Sequence, residues 1–470
     1  MGVSDVVDVL PARARSISLP TLGQRAEVSM RRLGLDFGTT NSALALHDGS
    51  AARILPVSGR ATWRTVLTFA EGEEPLAGEP AMERAAHGGC RFVQSIKSHL
   101  ASPLVDRTQI LGRTYRLPEL VAVFLRKLLT AAGFVFRDGR ACFSDGAPIE
   151  QIVVGRPVRY VGAEAPEHDA LAVARLEEAV RLAGLPPPTL ELEPLAAAFH
   201  YESQLDHDEL VLVADFGGGT SDFSLVEVGP SRLRAGTAQG RFVHGHGGVG
   251  LAGDALDAEL VHHAITPTLG RGSRYRLPGN GGTMEVPPWI YGKLRRWHHL
   301  SFLRSQRTLE LLHHLRIQAE EPDKLRALLH VVEDDLGLPL FRAVEGAKVR
   351  LSRAEVTELS FVDGPIALSE PVSRAAFEAW TADVRGTIEA SLDALLSEAN
   401  ARPTDVDAVF MTGGTSLVPS VVGAFERRFG AEKLRGRGGD QLTSVALGLA
   451  ARMGSGGPDG DGPGATRAIA

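Results

Sequence analysis

Cysteine is almost absent from the chain, which carries only Cys90 and Cys142. Two cysteines make neither a disulfide framework nor a thiolate metal cluster, and they suit a reducing compartment. Long apolar runs are missing as well. No stretch reaches the roughly 18 residues that a membrane-crossing helix needs, and the first residues lack a basic segment leading into an apolar run and a small-residue cleavage site. Export and membrane insertion are therefore not expected, and a cytoplasmic location is. Positive charge is not in excess either: 50 Lys and Arg stand against 57 Asp and Glu, a formal charge of −7. That balance argues against broad nucleic-acid binding.

What is present is a large globular composition, 44% apolar and 23% charged over 470 residues. This is enough for a sizeable core and too long for one compact domain, so two lobes are expected. Short apolar runs ending in glycine or polar turns predict buried strands at 33–37, 151–155, 210–216 and 408–412. Apolar residues three and four apart predict helices over 169–183, through Val173, Leu176, Val180 and Ala183, and over 375–399, through Phe377, Trp380, Val384, Ile388, Leu392 and Leu395. Strands and helices alternate, which is an α/β pattern. Residues 1–31 show no sustained periodicity and read as a flexible tail, with Met30 as an alternative start. The glycine-, proline- and aspartate-rich 454–470 reads as a disordered one.

One sequence recurs. Asp36-Phe37-Gly38-Thr39-Thr40 returns in altered form as Asp215-Phe216-Gly217-Gly218-Gly219-Thr220, each after an apolar strand and before another. The simplest explanation is two related lobes, each presenting a strand, a glycine turn and a returning strand. A carboxylate at the end of a buried strand, followed by glycine and small hydroxyl residues, suits a nucleotide's phosphates. Glycine lets the backbone approach closely, the turn's N–H and hydroxyl groups donate to phosphate oxygens, and the aspartate holds Mg2+ through water. One such turn is common in hairpins. Two facing copies point to a phosphate clamp.

Beyond this point the sequence resembles the DnaK-type heat-shock chaperones of the Hsp70 family. LGLDFGTTNSALAL resembles their first phosphate loop, VADFGGGTSDFSLVEV their second and VFMTGGTSLVPSV their adenosine motif. QIVVGRPV and GLPPPTLELEPLAAAFHY resemble the segments between the loops, SIKSHL the stretch bearing the catalytic lysine, and VEGAKVRLS the adenine-contacting helix. The matches keep the family's order from residue 33 to residue 451. The resemblance implies a two-lobed, actin-like ATPase with duplicated, ribonuclease H-like α/β lobes and a nucleotide cleft. Lobe I would comprise 32–208 with 437–453 returning to it, and lobe II 209–436 with an extended helical subdomain near 265–340. It also resembles the YegD-like members, which have the ATPase unit and no peptide-binding domain, since only a short glycine-rich tail follows the last predicted helix.

The resemblance further implies roles. Asp36 and Asp215 would hold hydrated Mg2+ and orient the attacking water, Lys97 would offset charge on the transferred phosphoryl group, and Glu193 would organise metal-bound water. Thr39, Thr40 and Thr220 would hydrogen-bond phosphates, in a loop that includes Asn41, while Gly38, Gly217, Gly218 and Gly219 would supply backbone donors. Glu345, Lys348 and Ser352 would border the adenosine, with Gly413 and Gly414 near the ribose and α-phosphate. The implied ligands are ATP or ADP with Mg2+, and a protein partner or client would bind the lobes. Positioning and charge stabilisation suffice for such phosphoryl transfer. Val349 and Leu417 depart from the family, which often has arginines on both faces of the adenine, and Leu442 replaces an acidic residue. A small-molecule kinase on the same fold is the alternative enzyme. A nucleotide-binding pseudo-enzyme is disfavoured because Lys97, Glu193, Asp215 and Thr220 are retained together.

Three features read as structural. Gly245-His246-Gly247-Gly248-Val249-Gly250 matches GxGxxG but lacks the later acidic residue of a dinucleotide site, so a glycine-rich turn is expected. The pairs His262-His263, His298-His299 and His313-His314 offer no i, i+4 ligand spacing for a metal. The basic and acidic residues of 265–340 are read as complementary charges on a helical hairpin rather than a nucleic-acid face.

Overall fold

The computed structural model describes residues 31–231, 243–277, 279, 281–295, 300, 303–436 and 440–452. The tails expected at 1–31 and 454–470 lie outside the described residues, Arg31 excepted, and so does the His298-His299 pair.

Two mixed sheets of the same design organise the chain. The first contains Arg32–Phe37 (β1), Asn41–His47 (β2), Ala52–Leu55 (β3), Trp63–Arg64 (β4), Gln151–Arg156 (β5) and Thr189–Leu192 (β6). Its order is β6-β5-β1-β2-β3, with β4 also on β2; β1 and β5 are parallel, as are β5 and β6, whereas β2 is antiparallel to both its neighbours in that order. The second contains Glu209–Phe216 (β7), Ser221–Val228 (β8), Val243–Val249 (β9), Ala408–Thr412 (β10) and Leu434–Arg435 (β11). Its order is β11-β10-β7-β8-β9, with the same succession of parallel and antiparallel pairs. The repeated sequence thus corresponds to a repeated hairpin. Asp36 sits across from Ala43 and Asp215 across from Asp222, each one residue before its strand ends. Leu33, Leu35, Phe37, Val211, Val213 and Phe216 are buried, as expected of central strands covered on both faces.

The helix expected over 169–183 is Pro166–Leu182 (α1). Two further helices join the sheets. Glu193–Glu202 (α2) packs on β7 and β8, Ser444–Ala451 (α8) packs on β1 and β2, and the two pack on each other. Small buried residues, Ala196, Ala197, Ala446 and Ala450, bring them close. At Gly448 a Cβ would lie 1.7 Å from the Ala196 carbonyl oxygen. Gly448→Ala gains about 1 kcal/mol of helix propensity but forces two backbones apart. We expect a net loss of about 2 kcal/mol, read by denaturant unfolding; an unchanged midpoint would show that the crossing is not tight.

Four more helices share an apolar core with the second sheet: Gly253–Leu260 (α3), Gln306–Gln318 (α4), Pro322–Glu333 (α5) and Gly337–Leu351 (α6). Within 265–340, α4 and α5 pair as a hairpin whose charges meet partners, His313 with Glu333 and Arg304 with Asp335. Two expectations need correction. The helix expected over 375–399 is two, Arg374–Trp380 and Ala382–Glu398 (α7), separated at Thr381. The Thr381 hydroxyl bonds back to the Phe377 carbonyl, which opens the helix at that turn. The GxGxxG stretch is not a turn. Gly245 to Val249 lie in β9, and two of their glycines make room for α7: a Cβ at Gly245 would lie 2.8 Å from Leu395 Cδ1, and one at Gly247 3.2 Å from its Cβ, while one at Gly248 would lie 2.7 Å from Asp222 Oδ1. Close packing, not a ligand, accounts for those glycines.

Candidate functional site

The two glycine turns meet edge to edge between the sheets. A Cβ on Gly218 would lie 2.1 Å from Thr40 Oγ1, and one on Gly219 3.1 Å from Thr39 Oγ1, so only glycine leaves room between them. Gly217 N–H donates to the Thr220 carbonyl, and the start of α3 follows on, with Asp254 N–H donating to the Gly218 carbonyl. Gly413, at φ 81°, occupies the left-handed region right after β10. A Cβ there would be 2.1 Å from the Phe216 carbonyl oxygen and 3.0 Å from Asp215 Oδ1, so this turn presses on the floor of the site.

On that floor stand Asp36, Glu193 and Asp215 with Lys97, and Asp222 is fully buried behind them. Lys97 Nζ donates to Glu193 Oε1 at 2.5 Å, and both side chains are buried. The lysine is carried on a short 3-10 turn, Ile96–His99, entered through Ser95 at φ 51°, a left-handed conformation uncommon outside glycine. Burial works against the Lys97 charge, but Glu193, Asp36 and Asp222 outweigh it and hold the ammonium above the ordinary lysine value. Burial, then Glu193, push the Asp36 carboxyl up to about 7, with Lys97 pulling the other way. The same two causes raise Asp222 to about 7, against the pull of its polar neighbours Thr220, the Val158 N–H and Lys97. Burial and the neighbouring Glu193, Asp36 and Asp222 hold Asp215 well above the carboxylate range. Asp222 accepts from the Val158 N–H through Oδ1, and its Oδ2 is buried without a hydrogen-bond partner.

The rest of the cleft is walled by α6 and the turns after β10. Lys348 donates to Asp257 Oδ2 at 2.6 Å and to the Gly253 carbonyl at 3.4 Å. Across the cleft, Arg64 of β4 forms a two-pronged ion pair with Glu345 of α6, both contacts at 2.9 Å. Of the residues singled out in the sequence, Asp36, Gly38, Thr39, Thr40, Asn41, Lys97, Glu193, Asp215, Gly217, Gly218, Thr220, Glu345, Lys348, Gly413 and Gly414 line this one cleft. Gly219 is set behind the wall against Thr39, and Ser352 is not on the wall, its hydroxyl turned back to the Lys348 carbonyl. Arg64, Asp222 and Asp257 were missed. Asp222 carried a signal: an acidic residue inside an apolar strand, seven after Asp215, has to be buried and so calls for a reason.

Fold and cleft together define a two-lobed, actin-like ATPase architecture. Comparison with known proteins gives the family: the model for "Hsp70 protein" matches residues 107–268 and 331–458, and the chain belongs to the Hsp70 family. The match skips residues 269–330, and the first glycine turn and Lys97 lie ahead of it. The chain is 25% identical over 424 residues to the chaperone protein DnaK of Thermosipho africanus (strain TCF52B), an alignment covering 90% of this chain and 58% of that protein. It thus spans less than two thirds of that relative's length. Among the described residues no helix is long and apolar enough to cross a membrane.

Proposed function

We propose that the cleft binds ATP with Mg2+ and hydrolyses it to ADP and phosphate, as the ATPase unit of a chaperone-type protein. Its moving parts would be the lobes 32–208 with 437–453, and 209–436. The observation that carries this reading is the floor of the cleft, where Asp36, Glu193 and Asp215, with Asp222 buried behind them, surround Lys97 between two glycine turns. The raised proton affinities of Asp36, Asp215 and Asp222 and the orphaned Asp222 Oδ2 favour a cation there. No three Asp, Glu, His or Cys groups among the described residues converge to ligate an ion directly. Asp36 and Asp215 are accordingly read as holding Mg2+ through its water shell, where the ion would offset phosphate charge.

The chain's own groups do the positioning. Backbone N–H groups of both turns and the hydroxyls of Thr39, Thr40 and Thr220 hold the phosphates, Asp215 orients the attacking water, and Lys97 faces the charge that develops as the phosphoryl group leaves. Glu193 keeps Lys97 in place. A protein partner or client would meet the outer faces of the lobes, with 265–340 the first surface to map, and the two-cysteine composition supports a cytoplasmic setting. The test is calorimetric binding of ATP with Mg2+ and with EDTA, followed by phosphate release with and without sugar or acid acceptors. Mg2+-dependent binding and acceptor-independent release are expected. Absence of binding under both conditions would remove the nucleotide reading, and acceptor-dependent turnover would make the protein a kinase.

The Arg64–Glu345 pair bridges the cleft at its mouth, and a bidentate, charge-assisted contact is worth about 1–2 kcal/mol when partly buried. If the lobes must part to release nucleotide, Arg64→Ala should speed release by about tenfold. Stopped-flow chase of a fluorescent ADP measures it, and an unchanged rate would show that the pair does not latch the lobes.

A further inference from the structure

The wall of the cleft away from the carboxylates combines two observations. Two large apolar side chains stand half exposed along it: Val349 at the end of α6, 53% exposed, and Leu442, 44%. Leu442 leans over Gly414, where a Cβ would lie 3.9 Å from its Cδ2. Apolar side chains gathered in a cleft wait for an apolar cover. A nucleotide whose phosphates lie on the glycine turns would bring its base to such a wall.

The second observation is that the polar groups nearby are already committed within the protein. Glu345 is held at both oxygens by Arg64, and Lys348 by Asp257 and the Gly253 carbonyl. The hydroxyls of Thr415, Ser416 and Ser352 donate to the carbonyls of Gly217, Gly413 and Lys348. Two other polar side chains line the cleft nearby, and neither separates the purines. Gln441 carries an amide that donates or accepts equally well, and Arg342, two turns back along α6, presents a planar guanidinium that stacks on any ring face. Adenine and guanine differ in the donors and acceptors on their edges, not in the area of their faces. A site that rejects one purine needs a fixed donor or acceptor aimed at that edge, because only an unpaired buried polar group makes discrimination large.

We propose that this site takes purine nucleoside triphosphates as a class, holding adenine and guanine alike by their faces. The inference rests on the nucleotide reading above and extends it to the choice of base. Its test is equilibrium titration of the full chain with ATP and with GTP, both with Mg2+, on the wild type and on Val349→Ser and Leu442→Ser. Both substitutions are at exposed positions, so the fold is retained. The expected result is dissociation constants for ATP and GTP within about tenfold of each other, and an equal loss of affinity for both in each variant. A preference beyond about tenfold for either purine overturns the proposal while leaving the nucleotide reading intact. So does a variant that weakens one purine and spares the other. Failure of both to bind the wild type removes the nucleotide reading, and this inference with it.

Discussion

Replacing Asp215 by Asn is expected to slow single-turnover hydrolysis of ATP by at least about a hundredfold while leaving ATP affinity unchanged or slightly higher. The magnitude is that of losing one preorganised polar group at a reacting centre. The separation of the two effects follows from charge. Asp215 shares the floor with Asp36 and Glu193, with Asp222 close behind, so removing its negative charge relieves repulsion toward an anionic triphosphate and does not weaken binding. The hydrolytic step loses the carboxylate that orients water, and an amide of the same shape cannot replace its charge. Rates must be compared with both proteins saturated, so that only the bound state is read. Equal single-turnover rates would take Asp215 out of the reaction and leave a nucleotide-binding protein whose floor serves folding alone.

How much of this was legible in the sequence depends on whether each feature is local. The strands around Asp36 and Asp215 were, because an apolar run that ends in glycine reads the same in either lobe, and their observed bounds, Arg32–Phe37 and Glu209–Phe216, differ from the expected ones by a single residue at one end. The repeated sequence also pointed to the repeated hairpin. Features that depend on distant partners were not legible. Arg64 and Glu345 are 281 residues apart, and nothing near either marks the pair. Asp257 looks like an ordinary helix acid until Lys348 is seen beside it. Local pattern also misled where packing decides. The glycines of β9 follow a nucleotide fingerprint letter by letter, yet Gly245 and Gly247 are small because Leu395 of the neighbouring helix needs the space, and Gly248 because Asp222 does. The periodic residues of 375–399 keep one apolar face across Thr381, and periodicity does not register a hydroxyl that bonds its own helix.

Lys97→Ala is expected to lower both turnover and stability, and the second effect should depend on pH in a direction the site dictates. Breaking a buried ion pair by removing one partner costs about 3–5 kcal/mol, because the other charge is left without compensation. Here Glu193 would be left among three more carboxylates. The folded-state proton affinities of Asp36 and Asp222 are already raised to about 7 from an ordinary value of 3.8. A carboxyl raised in the folded state contributes stability that is fully present below about pH 4 and is lost as pH rises through about 7, since the folded protein then binds more protons than the unfolded one. Lys97 counters that loss by favouring the charged forms of both residues. Without it the loss deepens and extends to higher pH. Thermal unfolding in EDTA should therefore show a modest difference between wild type and variant at pH 5, where protons do part of the lysine's work, and a much larger one at pH 8. At pH 5 the variant should also remain folded well enough for its turnover to be measured, expected at least about tenfold below wild type, the scale of 1.4 kcal/mol in the transition state. A pH-independent stability difference would mean that Lys97 does not hold this cluster together electrostatically, and a full rate at pH 5 would mean that it takes no part in phosphoryl transfer.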